Sequence, residues 1–115
     1  MATPTIDRET FEALKETTGA EFVTELVDTF LQEAPAMLKE LRRTLAAQDA
    51  DSFRRTAHSL KSNSNTFGAL TLGAMARDLE LTGVAKVIER GGQPLDALED
   101  EYARVAAALA ELRHA

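Results

Sequence analysis

The chain contains no cysteine and no tryptophan, a single tyrosine and only three prolines in 115 residues. Without cysteine there is no disulfide, no thiol nucleophile and no thiolate metal site. No run of about 18 apolar residues is present, so no membrane span is expected. The opening stretch, MATPTIDRET, lacks the basic start and apolar core of a signal peptide, and a cytoplasmic protein is the expectation. Positive charge is scarce as well: 13 Lys and Arg stand against 19 Asp and Glu, a formal net charge of −6, which argues against binding a nucleic-acid backbone. Neither a glycine-rich nucleotide loop nor a P-loop is found, so nothing here draws phosphate from ATP unaided.

What remains is rich in alanine and leucine and poor in β-branched residues, a composition that favours helix over strand. The length suits one core, without repeats or linkers, so residues 1–115 read as a single domain. Asp7 is placed to cap a short helix carrying Phe11 and Leu14, which Gly19 interrupts. From Ala20 apolar residues recur at three- and four-residue steps as far as Leu45. Pro35 falls inside that stripe and predicts a kink or break near Ala34, with the continuing stripe favouring one bent helix. QDADS (48–52) is a turn with cap candidates Asp49 and Asp51, and a helix follows up to about Gly68. Leu72, Met75, Ala76, Leu79, Gly83 and Val87 read as one further helix, ended by Gly91-Gly92. Pro94 opens a last helix, whose stripe runs from Leu95 to Leu112. The pattern predicts an all-α, antiparallel four-helix bundle with a short extra N-terminal helix.

The chain has two histidines, and His114 sits next to its end as an incidental residue. His58 is different. On a wheel of ~100° per residue, Phe53, Ala57, Leu60, Ser64 and Phe67 gather within about 40° of one direction, the core stripe. His58 lies about 140° from that direction, Asn65 about 120°, Arg54 about 100° and Lys61 about 80°. The imidazole therefore points off the core, with Arg54, Arg55, Lys61 and Ser62 one turn either side as a local basic patch. No second ligand stands at the spacing of a zinc or di-iron site. A neutral imidazole offers one ring nitrogen as a nucleophile, and neighbouring cations favour that neutral form and attract an anionic electrophile. Such a group suits phosphoryl pick-up; hydrolysis would need a triad or carboxylate pair that the sequence does not supply. A plain exposed histidine on a solvated face is the competing reading.

The stretch AHSLKSNSNTFGA (57–69) resembles the signature of histidine-containing phosphotransfer (HPt) domains: a His, a Lys three residues on, small residues, then a Gly ten residues after the His. FLQEAPAMLKEL (30–41) resembles that family's upstream helix and LGAMARDLE (72–80) the helix that follows. The resemblance implies that His58 accepts a phosphoryl group through Nε2 and that Lys61 steadies its oxygens. Glu80 would orient the ring through the other nitrogen, while Ser62 and Gly68 shape the surface, with Arg54 and Asn65 as docking residues. The family commonly has Gly directly after the Lys, where Ser62 stands here; serine still leaves room for a partner, and its hydroxyl can donate to a phosphoryl oxygen.

The function implied is a phosphorelay intermediate, not an autonomous kinase. It takes phosphate from the aspartyl phosphate of a receiver domain, or from a histidine kinase system, and passes it to another response-regulator receiver. No cofactor is expected on this chain; Mg²⁺ belongs to the receiver. The expected partners are receiver domains or a hybrid histidine kinase, with no nucleic acid and no membrane, and the chain itself a monomer. The alternative from a different class is a helical interaction adaptor that uses the same surface without transfer chemistry.

Overall fold

A computed structural model describes residues 5–113; His114 lies outside the described residues. Helix α1 spans Arg8–Thr18, α2 Ala20–Ala47, α3 Ala50–Thr66, α4 Leu70–Thr82, α5 Val84–Glu89 and α6 Gln93–Arg113. Helix α3 packs on both α2 and α4, and α6 closes the ring by packing on α4 and α2. Those four helices enclose the core as a bundle, and α1 leans on α2 and α3.

The starts and stops follow local chemistry. Asp7 caps α1, its carboxylate accepting the Thr10 amide at 3.1 Å. Asp49 caps α3, accepting the Ser52 amide at 3.2 Å, and hydrogen bonds from Ser52 hold its carboxyl below the usual carboxylate range. Gly19, at φ 92°, separates α1 from α2. Helix α2 runs unbroken across Pro35, so no break occurs at Ala34. The apolar stripe, with Val27, Ala34 and Leu41 fully buried, holds both halves against one core and offsets the hydrogen bond Pro35 cannot donate.

One predicted helix is two. At φ 84° Gly83 lies outside helical space, and its amide closes α4 by donating to Leu79 O at 3.0 Å. Val84 then opens α5, a separate short helix. Leu79, Gly83 and Val87 keep helical spacing in sequence, but only Leu79 and Val87 are buried side chains, presented by two different helices.

The core is the predicted one on α3: Phe53, Ala57, Leu60, Ser64 and Phe67 are all buried. Phe67 stacks at a tilt on Phe30, with ring centroids 5.3 Å apart, and Tyr102 meets the edge of Phe30 at 6.1 Å. Burial pushes the Tyr102 phenol up. Two clamps tie α6 to α2: Arg42 grips Glu99 and Asp96, and Arg113 reaches Asp28. Glu101 is buried too, held by Arg104 Nε at 2.8 Å.

Gly68 turns the chain between α3 and α4 at φ 84° and is itself buried. Its carbonyl accepts the Asp7 amide at 2.8 Å, and a Cβ there would sit 2.7 Å from the Asp7 carbonyl oxygen. The substitution Gly68→Ala is expected to lower stability by about 1–3 kcal/mol in urea unfolding, from the left-handed backbone and the contact with α1 together. Ser64 Oγ is buried without a partner. Ser64→Ala should leave stability unchanged or raise it by up to about 1 kcal/mol, and a clear loss would show that the hydroxyl is hydrogen-bonded.

Candidate functional site

His58 sits near the middle of α3 on the flank that faces α4, its side chain 56% exposed. The packing of α4 on α3 brings Glu80, in the last turn of α4, against it. His58 Nδ1 lies 3.0 Å from Glu80 Oε2 and 3.3 Å from Oε1. A carboxylate only accepts, so Nδ1 carries the proton and donates it. In the neutral ring the proton is thereby assigned to Nδ1, and Nε2 is the nitrogen that carries the lone pair. Glu80 itself is 17% exposed, tucked beneath the ring and the Lys61 stem.

Lys61 stands one turn on, also largely covered at 24% exposure, with Nζ 3.9 Å from Glu80 Oε2. That separation is an ion pair without a hydrogen bond, so the ammonium protons remain free for another anion. Imidazole, carboxylate and ammonium thus form a compact row across the α3–α4 edge. Among the described residues, no group of three or more His, Asp or Glu could hold a metal ion. No helix there is long and apolar enough to cross a membrane.

Three expectations about the surroundings change. The basic patch is largely compensated: Arg54 Nη2 pairs with Asp51 Oδ1 at 2.9 Å and Arg55 Nη2 with Asp51 Oδ2 at 3.1 Å. Asp49 takes the capping position, which leaves Asp51 in the first turn to pair with arginines three and four residues on. The charge nearest the ring is therefore the Glu80 carboxylate, and an electrostatic account built on cations alone does not describe this site. Gly68 lies past the end of α3, more than two helical turns beyond His58, and its work is the turn and the α1 contact.

Ser62 is exposed four residues after His58, and its carbonyl accepts the Thr66 hydroxyl at 3.0 Å. Asn65 lies on the same flank as His58, and its carboxamide rests against Gly73 of α4. Gly73 is the residue that motif reasoning passed over, because a glycine within a helix has no local signature; only its seven-residue spacing to Glu80 places the two on one face.

The arrangement suits a nucleophile presented to a partner. The ring is contacted at Nδ1 on a half-exposed side chain, and Lys61, within 3.9 Å of the same carboxylate, is a cation close by for an incoming anion. Removing the carboxylate tests the orientation. In Glu80→Ala the Nδ1–H form of His58 is expected to lose population to the Nε2–H form, read from ring ¹⁵N chemical shifts. Unchanged shifts would show that the carboxylate does not hold the ring.

The model of the Hpt domain family matches residues 25–115. No curated protein sequence matches the chain. Among solved structures, the crystal structure of histidine-containing phosphotransfer protein B (HptB) from Pseudomonas aeruginosa PAO1 is similar, at a TM-score of 0.88 and 28% sequence identity. That alignment covers 98% of this chain and 97% of the other.

Proposed function

This chain belongs to the Hpt domain family and is a phosphorelay intermediate, and from that premise we propose that His58 is the residue that carries the phosphoryl group. The observation that supports this most is the Nδ1 contact with Glu80, which makes Nε2 the lone-pair nitrogen of the neutral ring, on a side chain that is 56% exposed.

In the proposed step the Nε2 lone pair attacks the phosphorus of an acyl phosphate on a receiver aspartate. An N–P bond forms, the P–O bond to the aspartyl carboxyl breaks, and the carboxylate leaves with the electron pair. The ring still holds its Nδ1 proton and becomes cationic as the bond forms; Glu80 at 3.0 Å offsets that charge where it develops. Lys61, already beside the ring, donates to the phosphoryl oxygens. Ser62 offers a further donor one turn away, and Arg54 and Asn65 border the docking face. Onward transfer is the reverse: an aspartate of the next receiver attacks phosphorus, and the electron pair returns to Nε2.

Mg²⁺ and the acidic pocket are assigned to the receiver, so the chain needs no cofactor of its own. It is proposed to work in the cytoplasm as a monomeric carrier between receiver domains, or between a histidine kinase system and a receiver, without kinase activity towards ATP.

Incubation with a ³²P-labelled receiver should give a label on this chain that survives base and is lost in acid. His58→Gln should abolish it. Equal labelling of His58→Gln, or no labelling of the wild type by any of a panel of receivers, would overturn the reading in favour of an adaptor. Lys61→Ala should slow labelling roughly ten- to a hundredfold, the value of one charge-assisted hydrogen bond in the transition state. Its unfolding free energy should change by about 1 kcal/mol or less.

A further inference from the structure

His58 and Asn65 are seven residues apart on α3, and Gly73 and Glu80 are seven apart on α4. Seven residues make two helical turns to within about 20°, so each pair occupies one face of its helix. The helices run in opposite directions, and the two contacts are in register: Glu80 meets His58, and Gly73 meets Asn65.

The second contact is tight. A Cβ on Gly73 would lie 2.1 Å from Asn65 Oδ1 and 2.9 Å from its Cγ. The carboxamide occupies the space that any other residue's first carbon would take. Gly73 is buried and inside α4, where glycine is a poorer helix former than alanine, and its amide makes the ordinary helical bond to Ala69 O at 2.9 Å. Its backbone conformation therefore does not call for glycine, and what a side chain there would meet is the Asn65 carboxamide.

We infer that Gly73 and Asn65 are positioning residues for His58: the carboxamide seated on the glycine sets the spacing and axial register of α4 on α3, and so holds Glu80 at Nδ1. The kinetic part of this inference rests on His58 being the phosphoryl acceptor; the structural part does not. Two helical turns separate the contacts, about 10 Å, and rigid helices carry a displacement at one to the other. A shift of an ångström at Glu80 is enough to break a hydrogen bond of 3.0 Å.

The test is a mutant cycle of Gly73→Ala, Asn65→Ala and the double variant, followed by ring ¹⁵N NMR of His58 and by the rate of labelling from a phosphorylated receiver. Gly73→Ala pushes a methyl into the carboxamide, and Asn65→Ala empties the seat. Each single variant is expected to reduce the Nδ1–H population and to slow labelling several-fold, with helicity by circular dichroism retained. In the double variant one methyl replaces the carboxamide, and both readouts should return toward wild type. If the ring tautomer in Gly73→Ala is that of the wild type, the carboxamide has merely swung aside and the inference fails. It fails equally if the double variant is no better than the worse single one. Should Gly73→Ala not fold, Asn65→Ala decides alone, since it changes an exposed helical position to the best helix former, and an unshifted tautomer there overturns the proposal. The tautomer readout needs no phosphate. A tautomer that responds as described in a protein that accepts no label would sink the acceptor role of His58 and leave the positioning role standing.

Discussion

One carboxylate crossing from α4 to a ring nitrogen on α3 gives the exposed edge of this bundle its chemistry. An imidazole on a bare helix surface rotates freely and exchanges its proton between two nitrogens. The contact with Glu80 at 3.0 Å favours Nδ1 as the donor nitrogen, and so Nε2 as the acceptor in the neutral ring. The carboxylate works because it is mostly covered, which keeps water from competing for it. Lys61 shares that cover and neutralises Glu80 without closing on it.

Much of the rest of the fold serves that crossing. Helix α3 is capped by Asp49 at one end and closed at the other by a turn whose glycine is braced by the α1 cap residue. Its buried stripe, from Phe53 to Phe67, locks its rotation about its own axis, and rotation determines whether His58 faces α4. On the far side, Arg42 and Arg113 fasten α6 to α2, closing the ring of helices around the core.

The rotation of α3 was legible in the sequence because burial leaves a period, and the five residues that mark it sit about one to a turn. The candidate acceptor and its partners His58, Lys61 and Glu80 were legible through their spacing and the family resemblance. The α4–α5 break was not, since Leu79, Gly83 and Val87 keep helical steps whether or not the helix continues. The charge of the Arg54 neighbourhood was not legible either. It depends on which of Asp49 and Asp51 caps the helix, and either spelling of the turn permits it. Gly68 announced a turn, but the residue that needs its missing side chain, Asp7, is far away in sequence. Gly73 gave no signal at all until the helix opposite was in place.

The pairing of Arg54 and Arg55 with a single aspartate also bears on how a partner arrives. A cluster of unpaired cations draws in an acidic surface over a range of about a Debye length, about 8 Å at physiological salt. Here two guanidinium groups share the one carboxylate of Asp51, which cancels half of their charge, on a chain whose net charge is already −6. The pull of this edge on an acidic surface is reduced to that extent. More of the recognition is thereby left to the short-range fit made after contact, on an edge where a largely covered lysine stands beside a ring held at Nδ1.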